Sequence, residues 1–165
     1  IFDIDLYKEM KPKSVLTWVR IMLANKLAKS AEDWIEYFKK ENSGTYNCQF
    51  TILDLNKVDL KHKNIQDKAL MIVEQMPGKT ETSDVTQNLR DKYWASYNVP
   101  FSKKIFKDLG YEMYIALSPE LEAELDYEKS SRAKIIEREQ KNVKSNEDIK
   151  NKSTKIIHKI KKYTK

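Results

Sequence analysis

The sequence predicts an α+β chain, helix-rich in this segment, from three features of its patterning. Apolar residues recur at helical spacing near the beginning and again through the second half. Between these regions Tyr46, Cys48, Phe50 and Ile52 alternate with Asn47, Gln49 and Thr51, the period of a strand with one apolar and one polar face. Ala69-Leu70-Met71-Ile72-Val73 is a continuous apolar run, consistent with a strand covered on both sides.

Taken in order, Ser14 can cap a first helix whose apolar stripe is Val15, Trp18, Val19, Met22, Leu23 and Leu27. Ser30, with Asp33 three residues on, starts a second that buries Ala31, Trp34, Ile35 and Phe38. Asn42-Ser43-Gly44 is a stop signal, because Asn and Gly tolerate the left-handed backbone that ends helices. The alternating strand follows, then a polar loop from Asp54 to Lys68, then the apolar run, which Pro77-Gly78 closes. Ser83 or Asp84 caps a short helix through Val85 and Leu89. Ser102 caps another with Ile105, Phe106 and Leu109, closed by Gly110. Ser118-Pro119 begins a third in the favoured N-cap, N1 order. Ser130 or Ser131 starts a segment with Ile136, Gln140 and Val143, and a last helix sets Ile149, Ile156 and Ile160 on one side. Two strands make a poor sheet, so partner strands are expected in sequence outside this chain.

A chain of 165 residues with 40% apolar content suffices for a core, and it reads as one partial domain over 1–165. It opens at Ile1 without an initiator Met or an apolar leader, as expected of a piece of a longer protein. A charged share of 34% and a mean hydropathy of -0.72 exclude a transmembrane segment of helical type. The net charge of +6 is concentrated late: from Lys129 onward thirteen Lys and Arg face four Asp and Glu, leaving the rest net acidic. That pattern suits a solvated basic end better than a nucleic-acid site, so no nucleic-acid partner is expected. The rival, a basic helical fragment that binds nucleic acid, would show binding that falls steeply with salt.

Gly44, Gly78 and Gly110 are too widely spaced for a phosphate loop, a dinucleotide fingerprint or a nucleophile elbow. His62 and His158 lack neighbours that suggest a catalytic pair, and a single cysteine, Cys48, rules out a cysteine zinc cluster. No metal or cofactor is implied. Strand parity puts Asn47 and Gln49 on the polar face, roughly 6.5–7 Å apart. Such amides can donate to an oxyanion or hold a carbonyl, or they can simply face solvent or bond a neighbouring loop. The same parity sets Cys48 on the apolar face, as a small inert core residue rather than a nucleophile. Asn151-Lys152-Ser153 is the only glycosylation sequon, with Asn151 as acceptor.

Several words occur in one order: Val15-Leu16-Thr17-Trp18-Val19-Arg20, Gly44-Thr45-Tyr46-Asn47-Cys48-Gln49, Glu74-Gln75-Met76-Pro77-Gly78, Tyr93-Trp94-Ala95-Ser96-Tyr97-Asn98-Val99-Pro100 and Ser131-Arg132-Ala133. Together they resemble the C-terminal-side segment of the phospholipase B-like family, over about residues 13–163. The resemblance implies an αββα N-terminal-nucleophile hydrolase sandwich, of which this chain is a part. It implies a cysteine nucleophile exposed by cleavage in an upstream segment of the same precursor, and phospholipid or fatty-amide substrates. It also implies a secreted or lysosomal glycoprotein acting in lipid degradation. Asn47 matches the first Asn of the family's Tyr-Asn-Asn-Gln-Trp word, which implies a role in binding substrate or oxyanion. The chain departs from that word with Cys48 for the second Asn and Phe50 for the Trp. Gln49 and Asn98 lie in matching words and are substrate-binding candidates. Trp94, Tyr97 and Asn98 otherwise read as buried groups with satisfied polar tips. Arg132, followed by Ala133 and preceded by Ser131 where the family has Pro, can hold a carboxylate or phosphate, or make a salt bridge at a helix start. With no nucleophile–base pair in view, purified 1–165 is expected to show no sustained hydrolysis of phospholipid or fatty amide. Turnover abolished by Cys48→Ser would contradict this.

Overall fold

The computed structural model describes residues 1–91 and 93–151. A 3-10 turn, Ile4–Glu9, precedes helices α1 (Thr17–Leu27) and α2 (Ala31–Lys39). Strand β1 (Gln49–Leu53) follows, then a short ladder of β2 (Val58–Asp59) with β3 (Asn64–Ile65), then β4 (Leu70–Met76) and β5 (Lys79–Asp84). Helices α3 (Thr86–Asp91), α4 (Lys103–Asp108), α5 (Tyr111–Leu117), α6 (Glu122–Leu125) and α7 (Ser131–Gln140) follow, and the described chain is helical again from 146 to its end at 151. The main sheet has the order β1-β4-β5, antiparallel throughout, with Gln49 opposite Glu74 and Met76 opposite Lys79.

Every residue of β4 is buried, because helices cover both faces of the sheet. On one face Met71 and Val73 pack with Ala24 of α1 and Ala31, Ile35 and Phe38 of α2, and Phe50 and Ile52 of β1 join them. On the other face Leu70 and Ile72 pack with Val85, Leu89, Trp94 and Phe101, while Met76 meets Ile105 of α4 and Leu109, which caps that helix. The second helix therefore buries the face its spacing predicts, and Ser30 accepts the Asp33 N–H at its start. Asp54, itself buried, adds a bond from the Ala31 N–H. Ser102 and Ser130 likewise cap α4 and α7, accepting from the Ile105 and Ala133 N–H groups.

Other expectations are corrected. The first helix turns Thr17, Arg20 and Ala24 inward, while Trp18 is 61% exposed and Met22, Leu23 and Leu27 are also exposed. Both stripes have helical period, and the polar one wins because Arg20 and Thr17 have specific oxygens to bind inside. Leu16 is the N-cap, and Ser14 instead donates to the Lys11 carbonyl. Strand β1 begins at Gln49 rather than Tyr46, which stands at φ +53° and is 75% exposed. Pro77-Gly78 is a hairpin turn, not a stop: β4 continues through Met76, and β5 pairs back along it with Thr80 and Thr82. The 54–68 loop holds the small β2–β3 ladder. Gly110, at φ +82°, links α4 directly to α5, a helix the spacing did not predict. Ile149 is exposed, and Ile156, Ile160 and His158 lie outside the described residues, as does the last part of the basic end. Among the described residues no helix is long and apolar enough to cross a membrane.

The chain between α2 and β1 is held by a buried cation. Arg20 is 2% exposed, and its Nη2 donates to Gln75 Oε1 (2.7 Å), Thr17 Oγ1 (3.1 Å) and Asn42 Oδ1 (3.1 Å). Its Nε reaches the Val15 carbonyl (3.0 Å), Nη1 the Phe38 carbonyl, and the guanidinium stacks 4.5 Å over the Phe38 ring. Gln75 passes the link on, its Nε2 donating to the Thr45 (2.7 Å) and Tyr46 (3.2 Å) carbonyls. Asn42 Nδ2 donates to the Met76 carbonyl (2.9 Å), which ties the hairpin turn to the same segment. Gly44 sits at φ +71°, where an added Cβ would stand 2.9 Å from Met10 Cγ and 3.0 Å from Pro77 Cα. Gly44→Ala in the intact protein is therefore expected to lower stability by about 2 kcal/mol. The check is the denaturant midpoint at unchanged slope.

Candidate active site

Where the 42–48 segment meets the ends of β1 and β4, a cavity of about 180 Å³ opens. Asn47, Cys48, Gln49, Glu74, Gln75 and Asn98 contribute to its lining, with Tyr97 on the side of the 93–101 segment. The amides Asn47, Gln49 and Asn98, which sequence reasoning singled out separately, thus share one wall system. They reach it by different means.

Asn47 precedes the strand, so its direction comes from the Arg20–Gln75 tether rather than from strand parity. Its Nδ2 donates to the Gly44 carbonyl (2.9 Å), closing a tight local loop. Its Oδ1 is buried with no hydrogen-bond partner. Buried amide oxygens are rarely left so, since an unmade bond costs about 1–3 kcal/mol.

Gln49 is the first residue of β1, directly opposite Glu74. Its Nε2 donates to Glu74 Oε1 (3.0 Å), and its Oε1 accepts from the Tyr127 hydroxyl (3.4 Å). Glu74 is 4% exposed, and its oxygens also accept from the Phe101 (2.7 Å) and Ser102 (2.6 Å) N–H groups. One buried carboxylate therefore fixes Gln49 on one side and the start of α4 on the other.

Cys48 lies ahead of β1 and does not join Phe50 and Ile52 in the core. It is half-buried at the cavity wall, and burial pushes its thiol pKa up. Asn98 accepts from Arg132 Nη1 of α7, so Arg132 meets an amide there and not a carboxylate. Both residues are exposed. Trp94 departs from its expected satisfied state, because its buried Nε1 has no partner. Asn151 is exposed, and Lys152 and Ser153 of its sequon lie outside the described residues. His62 pairs with Asp59 (2.6 Å) on an exposed part of the 54–68 loop, a neighbour the sequence did not suggest. That loop does not contribute to the cavity. Among the described residues no cluster of His, Cys, Asp or Glu could hold a metal ion.

Glu74, Gln75, Arg20 and Tyr127 were missed as site-building residues. The available signal was polar side chains continuing an apolar strand without a break, at Glu74-Gln75. A larger cavity, about 530 Å³, opens between the α1–α2 turn and β1, lined in part by Trp34, Phe50 and Ile52. Its Asp54 and Asn25 are already engaged, with the Ala31 N–H and the Trp34 indole, and none of the candidate residues lines it.

Comparison with known proteins places these residues in context. The family model described as phospholipase B matches residues 1–158. The chain is 41% identical over 150 residues to phospholipase B of Crotalus adamanteus, covering 91% of this chain and 26% of that protein. It is 43% identical over 145 residues to phospholipase B-like protein B of Dictyostelium discoideum, covering 88% and 25%. With human phospholipase B-like 1 it shares 42% identity over 140 residues, covering 85% and 25%. The chain thus spans about a quarter of the length of these relatives.

Because burial disfavours the thiolate, less of Cys48 is ionised at a given pH than for a free thiol near 8.5. Its alkylation by iodoacetamide is expected to stay slow at neutral pH and to rise only above that free-thiol range. A pH–rate profile with its midpoint below the free value would contradict this.

Proposed function

The chain belongs to the phospholipase B family, and from that premise we propose that it forms the substrate-holding wall of a hydrolase that releases fatty acids from phospholipids. The nucleophile, a cysteine, comes from an upstream segment of the same precursor, and a second sheet from that segment completes an αββα sandwich. The intact protein acts in a secreted or lysosomal setting. The observation that carries the reading is the convergence of Asn47, Gln49 and Asn98 on one cavity.

When a thiolate attacks an ester carbonyl, the oxygen becomes an oxyanion that needs N–H donors already in place. Asn47 Nδ2 has a second N–H beyond the one given to Gly44, and its position is set by a rigid tether. Gln49 Nε2 is held by Glu74 and lines the wall beside it. Cys48 takes no part as nucleophile: burial pushes its thiol pKa up and so disfavours the thiolate.

A second reading, hydrolysis of an amide bond, is favoured by one feature. The unpartnered Asn47 Oδ1 is an acceptor, and a substrate amide offers an N–H to it where an ester offers none.

Both readings meet in one experiment on the intact, processed protein. Asn47→Ala is expected to reduce turnover on the order of a hundredfold or more, with folding and maturation unchanged. Cys48→Ala is expected to stay within a few-fold of wild type. A larger loss on a fatty amide than on the matched ester assigns the Oδ1 contact to the substrate N–H. Near-wild-type turnover in Asn47→Ala with loss in Cys48→Ala would sink the assignment and point to a binding protein instead.

A further inference from the structure

A second polar cavity, about 380 Å³, lies on the far side of Tyr97, between α3, α7 and the 93–101 segment. We propose that it binds a quaternary ammonium group. Its half-buried walls are the rings of Tyr93, Trp94, Tyr97 and Tyr127. Three exposed carboxylates, Asp91, Glu128 and Glu137, and the amide of Asn88 also line it, and no Lys or Arg is among the described residues that form it.

Each feature selects for the same ligand chemistry. A methylated cation cannot donate hydrogen bonds, so it seeks ring faces, where the negative quadrupole attracts it and methyl groups make apolar contact. Carboxylates add long-range attraction without having to be bonded. A primary ammonium would instead be held mainly by hydrogen-bond acceptors, so ethanolamine separates the two kinds of recognition. The rings are also braced: Tyr127 meets Tyr97 at 4.9 Å and Phe101 at 5.3 Å between centroids, and Trp94 meets Phe101 at 5.1 Å, all three near edge-on. A braced cage loses little side-chain freedom when a ligand enters. Burial first, then the neighbouring Tyr93 and last the Glu137 carboxylate, push the Tyr97 hydroxyl up to about 12. The volume falls in the roughly 300–1,000 Å³ range of small-molecule sites.

Tyr97 lines this cavity and the Asn47 cavity alike, so the two are neighbours that share one side chain. The cation then has two sources, the choline head of a phospholipid or a free quaternary amine. The lipid source rests on the hydrolase reading above; the ammonium site itself does not.

The test uses the intact, processed protein. Calorimetric titration with choline is expected to show binding at least about tenfold tighter than 3,3-dimethylbutan-1-ol, its uncharged isostere, and than ethanolamine. Glu137→Gln and Tyr93→Leu are each expected to weaken choline by about fivefold, and Asn47→Ala to leave it unchanged. Equal binding of the uncharged isostere or of ethanolamine overturns the proposal, as does unchanged choline affinity in both Glu137→Gln and Tyr93→Leu. The lipid source is read from hydrolysis of phosphatidylcholine against phosphatidylglycerol in mixed micelles. A preference for the choline lipid that falls about fivefold in Glu137→Gln, with phosphatidylglycerol turnover unchanged, supports the head-group source. Choline binding with an unchanged lipid ratio supports the site and assigns it to a free amine. Retained turnover in Asn47→Ala alongside intact choline binding removes the Asn47 assignment and leaves the ammonium site standing.

Discussion

The buried Arg20 guanidinium is the constraint around which this chain is arranged. All the oxygens it binds are uncharged, from Val15, Thr17, Phe38, Asn42 and Gln75. A buried cation without a carboxylate is tolerable only when several acceptors converge on it, because the desolvation cost is several kcal/mol. Those acceptors come from α1, the end of α2, the following loop and β4. The cation thus forces four parts of the chain into one arrangement, and the 42–48 segment has no helix or strand of its own to do so. Gln75 then turns that arrangement into a direction for Asn47, through the carbonyls of Thr45 and Tyr46.

The same cation explains why the sequence was legible in some places and misleading in others. Helix α2 has one apolar stripe and one cap, so its buried face follows from spacing alone. Helix α1 is apolar on more than one side, and amphipathic reasoning chooses the larger residues. The fold chooses Thr17, Arg20 and Ala24, because hydrogen bonds distant in sequence outweigh the burial of Trp18 and Met22. Strand β5 was hidden for a related reason. Its residues are mostly polar, and only its pairing with β4 makes it a strand. Local propensity has no access to such a partner.

The candidate site was half legible. Parity correctly separates Gln49 from Phe50 and Ile52, since β1 is regular from Gln49 onward. It does not govern Cys48 or Asn47, which precede the strand and take their places from the tether. Their meeting in one cavity is a tertiary result, and so is the role of Glu74, whose partners Phe101 and Ser102 lie 27 and 28 residues away. The aromatic word at 93–101 was distinctive in sequence for its composition. In the fold Trp94 and Phe101 pack against the sheet core, while Tyr97 lines two cavities.

The size of the Asn47 cavity limits what this part of the protein is able to discriminate. At about 180 Å³ it falls below the roughly 300–1,000 Å³ of sites that enclose a whole small molecule. One wall is stiff, because Glu74 clamps the start of α4 through two backbone bonds and so resists widening in that direction. Such a space admits a carbonyl and its immediate substituents and leaves a long hydrocarbon tail outside. Chain-length selectivity is then not written into these residues. On the hydrolase reading proposed above, these residues contact the scissile bond, and the tail is measured elsewhere in the intact protein.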